Sequence, residues 1–229
     1  MSDEFRSLKH KASKMRTILA KEYGSKVVEL DDDPLDTLIE TILSQNTTDK
    51  NSSRAFGALK AKYHTWESML GESSNKVARI IRSGGLAGIK AERILSALDF
   101  IKSERGNLDL NFLRDMSSED AEQWLGRIKG VGPKTRSIVL LFSLGKPAFP
   151  VDTHIHRVTK RLGLIGQKTS REKAQTELAR LVPIENLYSF HINIIEHGRA
   201  VCQARRVKCD VCRISHLCDY FARLTKGQI

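Results

Sequence analysis

Apolar residues recur at helical spacing along most of the chain, and no other sequence feature constrains the fold as tightly. Leu35, Leu38, Ile39, Ile42 and Leu43 follow the i, i+3, i+4, i+7 rule. Ile94, Leu98 and Ile101 do the same, then Ile138, Val139 and Phe142, then Ile155, Val158 and Leu162. Turn residues stand between these stretches: Asp31-Asp32-Asp33-Pro34, Gly84-Gly85, Gly106-Asn107, Gly130-Val131-Gly132-Pro133, Gly145-Lys146-Pro147 and Pro150. No alternating run is long enough for a strand, and Val27-Val28 is too short to count. An all-α protein of about ten helices is expected. There is no repeat of fixed period, no low-complexity segment and no long linker. The Gly-Lys-Pro-Ala-Phe-Pro stretch at 145–150 interrupts the helices and marks a candidate boundary between two lobes.

At 229 residues the chain is one large domain or two small ones. Its 40% hydrophobic and 28% charged residues are those of a globular protein and exclude a disordered one. No apolar run approaches the ~18–20 residues that span a bilayer. The segment MSDEFRSLKHK has charge but no apolar core, so no secretory signal is expected there. The expected location is cytoplasmic, nucleoid-associated if the source is prokaryotic. Lys and Arg total 38 against 27 Asp and Glu, a net +11 that suits a nucleic-acid binder. A basic surface also suits membranes and acidic partners, so charge alone does not decide.

The four cysteines, Cys202, Cys209, Cys212 and Cys218, are clustered with the spacing C-x6-C-x2-C-x5-C. Clustering without a secretory signal points to a metal rather than to disulfides. Thiolates bind both zinc and iron–sulfur clusters. Structural zinc sites use two short arms, and here only Cys209–Cys212 is short. The wider loops suit the corners of a [4Fe-4S] cubane, with zinc and free buried thiols as alternatives. Arg205, Arg206 and Lys208 lie in the first loop, where they could meet phosphates or simply face solvent. His154, His156 and His197 read as packing or phosphate-contact residues, because four thiolates already complete a site.

The stretch Leu125-Gly126-Arg127-Ile128-Lys129-Gly130-Val131-Gly132-Pro133-Lys134-Thr135 ends one helix, turns through Gly-x-Gly and starts another with Pro in its first turn. Glycines allow close backbone approach and the new helix start favours an anion. This is a helix-hairpin-helix, a sequence-independent clamp on a DNA phosphate, with Gly130, Val131, Gly132 and Thr135 as its contact residues. A plain inter-helix turn is the alternative. Lys134 opens the second helix and could be one more phosphate contact. In a dry pocket it could instead lose its charge and act as an amine nucleophile. Asp152, in Phe149-Pro150-Val151-Asp152-Thr153-His154, sits where an N-cap belongs. It could also take a proton or stabilise positive charge on a sugar.

With these motifs in this order, the chain resembles the endonuclease III family of DNA glycosylases, within the helix-hairpin-helix superfamily, from about Leu35 to Cys218. The resemblance is carried by Lys134 after Gly-Val-Gly-Pro, by Val-Asp-Thr-His with Asp152 18 residues later, by His197-Gly198-Arg199 and by the cysteine set. It implies a six-helix barrel lobe at 30–146, with the hairpin at about 120–143. The cluster lobe would comprise 1–29 and 147–229, with a [4Fe-4S] loop at 202–218 and DNA bound in the groove between the lobes. It implies that Lys134 attacks C1′ of a flipped nucleotide, that a Schiff base forms and that β-elimination nicks the strand, with Asp152 assisting. Family members without this lysine only remove the base. A Gln in a Leu-Ser-x-Gln segment and an apolar residue after Gly fill the vacated stack. Here the segment reads Leu43-Ser44-Gln45-Asn46-Thr47-Thr48-Asp49, so Gln45, one place early, is the favoured gap filler, Asn46 at the usual position is its rival, and Leu86 matches the wedge. An ordinary core leucine is the alternative for Leu86. His154 joins the expected DNA contacts.

The expected partner is double-stranded DNA carrying a damaged base or abasic site, with no membrane and no nucleotide cofactor. A monomer is the default, and the cluster is expected to be structural. Oxidised pyrimidines are the expected lesion. Uracil, mismatched thymine and 5-methylcytosine are alternatives, since Leu108 to Thr153 also resembles the glycosylase domain of plant 5-methylcytosine demethylases. Glu40 aligns with the catalytic acid of adenine-mismatch glycosylases, but the chain ends 11 residues after Cys218, where those proteins carry a further domain. Glu40 is therefore expected to be structural or pocket-lining. A non-catalytic sensor of damage or redox state is the alternative of another class.

Overall fold

The structure, a computed structural model, describes residues 3–28, 30 and 33–228. Helices account for its regular structure. The sole β pairing among the described residues is an isolated bridge between Cys202 and Val207. No helix among them is long and apolar enough to cross a membrane. The chain divides into two compact units, Glu29–Gly145 and Met1–Val28 with Lys146–Ile229.

The central unit holds α2 (Pro34–Ser44), α3 (Asp49–Lys62), α4 (Ser74–Ile80), α5 (Ala87–Arg105), α6 (Ser118–Gly126) and α7 (Pro133–Ile138). Its centre is α2, which packs on α3, α5 and α7. The expected stripe explains why: Leu35, Leu38, Ile39, Ile42 and Leu43 are all fully buried. Each such side chain contributes roughly 1.5–3 kcal/mol. Asp33 caps α2 by accepting from Leu35 N at 2.8 Å, and Pro34 follows at the first helical position. Ser73 and Ser117 cap α4 and α6 in the same way.

One expected stripe needs correction. After α7 the helix continues as a π turn, Val139–Ser143. The wider turn shifts the register, so Val139, Leu140, Leu141 and Ser143 are buried while Ile138 and Phe142 are half-exposed.

The second unit holds α1 (Asp3–Tyr23), α8 (Thr153–Leu162), α9 (Arg171–Leu181), α10 (Ile184–Ala200) and α11 (Asp219–Thr225). α10 packs on α1 and α8, and α8 also meets α11. Ile155, Val158 and Leu162 form the buried face of α8, as their spacing predicts. α8 ends at Gly163 in the left-handed conformation, where Asp219 crosses so closely that a Cβ would lie 1.7 Å from its Oδ2.

Candidate functional site

In the central unit the Gly-x-Gly turn joins α6 to α7. Gly130 has φ +85, which favours glycine, and a Cβ there would stand 3.0 Å from Cδ of Arg93. Gly132 caps α7 with extended backbone, and Pro133 takes its first position. The first-turn N–H groups of α7 have no earlier turn to donate to. Lys134 stands here, exposed. The dry pocket envisaged around it is not seen among the described residues, where its side chain meets solvent. Val131 and Thr135, expected as contacts, are each only 5% exposed. Their side chains serve the core, which leaves Gly130 and Gly132 as the exposed backbone of the turn.

Two loops of the same unit carry the expected gap-filling residues. Gln45 ends α2 half-buried, with Arg93 Nη1 donating to its Oε1 at 2.6 Å. Its Nε2 makes a long 3.5 Å contact to Thr135 Oγ1. Asn46 is exposed and has φ +53. Leu86 starts α5 with φ +49 and is 53% exposed, so it is not the core leucine of the alternative reading. Among the described residues, Asn46 and Leu86 are the two non-glycines at positive φ. Strain of that kind persists only where the surroundings hold it, and it gathers at functional sites. Glu40 is half-buried on α2.

Sequence reasoning missed Lys90. It is 1% exposed, and its Nζ donates to Leu43 O at 2.6 Å and Gly84 O at 2.7 Å. Burial, helped by the charge of Arg93, lowers its pKa from the usual lysine value. A signal was present: Lys90 precedes Ile94 by four, on the apolar stripe of Ile94, Leu98 and Ile101.

In the second unit Asp152 is half-buried and caps α8, with Oδ1 accepting from Ile155 N at 2.7 Å. The capping reading is therefore realised. His154 approaches Arg157 Nη2 through Nδ1 at 3.2 Å, and His156 reaches Thr169 O at 2.8 Å. Lys134 and Asp152 belong to different units.

All four cysteines are unpaired thiols lining one cavity with Arg161 and His197. Burial pushes Cys212 up to about 11 and raises Cys209 and Cys218. Burial also lowers His197 to about 4. That histidine bridges Tyr23 Oη, 3.0 Å from Nδ1, and Cys212 Sγ, 3.7 Å from Nε2. No three His, Cys, Asp or Glu among the described residues converge closely enough for a single metal ion. The cysteine loop is held from α8 by two arginines that sequence reasoning also missed. Arg157 donates to Cys202 O and Gly198 O. Arg161 donates to Gln203 O at 2.7 Å and Ala204 O at 3.1 Å, and its Nη1 lies 3.4 Å from Cys202 Sγ. Their spacing of four on one helix was the available signal. Arg205, Arg206 and Lys208 follow on the same loop, all exposed.

A family model described as HhH-GPD superfamily base excision DNA repair protein matches residues 39–184. The chain is 42% identical over 165 residues to an Arabidopsis thaliana protein named as a candidate DNA glycosylase, covering 72% of this chain and 56% of that one. It is 30% identical over 197 residues to endonuclease III of Thermotoga maritima, covering 86% of this chain and 88% of that one. Among solved structures it is similar to a trapped covalent intermediate of endonuclease III with DNA, with TM-score 0.79, 28% identity and coverage of 95% and 98%. The chain therefore belongs to the endonuclease III family of the HhH-GPD superfamily of base excision DNA repair proteins, an enzyme class of DNA glycosylases and abasic-site lyases.

Proposed function

We propose that the chain removes oxidised pyrimidines from duplex DNA and nicks the strand at the resulting abasic site. The observation that carries the nucleophile and the nicking step is Lys134, an exposed amine on the first turn of α7, directly behind the hairpin turn. A helix start with open N–H groups suits a phosphate, so DNA bound there brings its sugar within reach of the next side chain. The damaged nucleotide leaves the stack at a cost of a few kcal/mol, least for a damaged base. Asn46 and Leu86, exposed and held at positive φ, are the residues that fill the gap.

Lys134 Nζ, as the free amine, attacks C1′. The C1′–N bond breaks and the base leaves with its electron pair, taking up a proton. The C1′–O4′ bond then breaks, O4′ takes up the proton that Asp152 accepted from the lysine nitrogen, and a protonated Schiff base is left on Lys134. Loss of a C2′ proton then breaks the C3′–O3′ bond, and the phosphate leaves. Water releases Lys134. Asp152 accepts the lysine proton and stabilises positive charge on the sugar. It can do so while capping α8, because a carboxylate has about four acceptor positions and the cap uses one.

The four thiols fit a [4Fe-4S] cluster. All four line one cavity, as a cluster whose iron corners each take one thiolate requires. Arg161 beside Cys202 offsets the negative charge such a site gathers. Bound there, the cluster would supply structural cross-linking of residues 202–218 and no step of the reaction.

The test is borohydride trapping on duplexes carrying thymine glycol, dihydrouracil, uracil, mismatched thymine, 5-methylcytosine or an abasic site. A covalent adduct on thymine glycol and on the abasic site, lost in Lys134→Gln while duplex binding persists, is the expected result. An adduct on the abasic site alone overturns the lesion assignment. Trapping that survives Lys134→Gln overturns the nucleophile.

A further inference from the structure

We propose that Lys90 is a positioning residue that fixes the spacing between the loop carrying Gln45 and Asn46 and the loop carrying Leu86. The inference rests on the reading of the chain as a base-flipping glycosylase.

Leu43 lies in the last turn of α2, and Gly84 ends the short 3-10 turn before Leu86. Both carbonyls are at helix ends, where no following turn supplies an N–H. Lys90 answers both with one ammonium group, at 2.6 and 2.7 Å. Carbonyls 41 residues apart in sequence are thereby set at a fixed separation. Asn46 follows the first carbonyl by three residues and Leu86 follows the second by two. These are the two strained non-glycine residues of the described chain, and both are exposed. A wedge and a gap filler must enter the duplex together, so their spacing matters more than the reach of either. Capping alone would not require a buried charge, since solvent or a hydroxyl serves most helix ends. A two-carbonyl strap requires a group with several donors on a long stem, and lysine provides three.

The experiment compares wild type, Lys90→Met, Leu86→Ala and the double variant. Each full chain is assayed for single-turnover excision of thymine glycol from a duplex. Each is also assayed for borohydride trapping on a single-stranded oligonucleotide with one abasic site, where no stack needs filling. Lys90→Met is expected to slow duplex excision at least tenfold while single-strand trapping falls less than twofold. The double variant is expected to be little slower than Leu86→Ala alone, because the strap acts through the wedge. Equal losses on both substrates, or fully additive losses in the double variant, overturn the inference. If Lys90→Met is not recovered folded, Lys90→Gln, which keeps an N–H donor, carries the same comparison. Failure of both to fold also overturns it, since the lysine is then a requirement of the core. A wild type that traps neither substrate overturns the glycosylase reading itself. A wild type active on both, beside an unchanged Lys90→Met, overturns only the role of Lys90.

Discussion

Arg93 donates from Nη1 to Gln45 Oε1 at 2.6 Å and so holds that amide against α5, leaving Asn46 as the exposed amide of the loop. The same arginine passes beneath the hairpin, where Gly130 leaves it room. Gln45 is thus a strut between α2, α5 and α7, and Asn46 is the amide proposed to enter DNA. Asn46→Ala is expected to slow excision from a thymine-glycol duplex about tenfold, the equivalent of one hydrogen-bonding contact. Gln45→Ala is expected to change it less than about threefold while lowering stability by about 1 kcal/mol. Single-turnover rates and urea midpoints check both. A larger rate loss in Gln45→Ala reverses the assignment.

Asp152 has two separable duties. As an N-cap its side chain needs an acceptor oxygen, which asparagine also provides. As a proton acceptor it needs the carboxylate. Asp152→Asn is expected to keep stability within about 0.5 kcal/mol and to lose about 10²–10⁴-fold in duplex excision. Asp152→Ala should lose activity similarly and cost about 1 kcal/mol of stability as well. Equal activity in wild type and Asp152→Asn would confine the residue to capping.

What the sequence made legible follows from what patterns encode. The stripe from Leu35 to Leu43 predicts its helix because every apolar position faces the core. Leu86 carried its signal through Gly84-Gly85, the turn that exposes it. Ile138 and Phe142 misled because a π turn changes the period, and residue type does not announce one. Val131 in the turn and Thr135 in the first turn of α7 belong to the hairpin motif yet point inward, which motif spacing does not specify. Lys90, Arg157 and Arg161 had positional signals, but their roles were hidden for a different reason. Their partners are backbone carbonyls, and a carbonyl has no letter in the sequence.

Among the described glycines, Gly163 is the one where an added Cβ would come nearest to a neighbouring atom. Its φ is +72, and a Cβ would meet Asp219 Oδ2 at 1.7 Å. Asp219 also receives Lys11 Nζ at 2.5 Å and directly follows Cys218. Gly163→Ala is expected to destabilise by about 1 kcal/mol and, with the proposed cluster bound, to lower the iron content of the purified chain. Adding Asp219→Ala removes the clash but not the backbone strain, so it should recover part of the loss. Thermal midpoints for the four chains of this cycle measure the coupling. Strict additivity would mean that Asp219 is not what Gly163 accommodates.

Arg205, Arg206 and Lys208 test whether the cysteine loop meets DNA. Removing a cation that neutralises a phosphate reduces the slope of log affinity against log salt by about 1. Changing all three to Ala is expected to reduce the slope by about two to three while leaving iron content unchanged. Arg161 tests the same surface from behind, since it grips Gln203 O and Ala204 O without being an exposed cation of the loop. Arg161→Met keeps its aliphatic stem and removes the grip. If the loop must be held to present its charges, this variant also loses salt slope, although all three cations remain. Fluorescence anisotropy with an abasic-analogue duplex over a salt series reads both variants. A triple variant with an unchanged slope would assign those charges to solvent. An unchanged slope in Arg161→Met alone would show that the Arg161 grip is not needed to hold the loop.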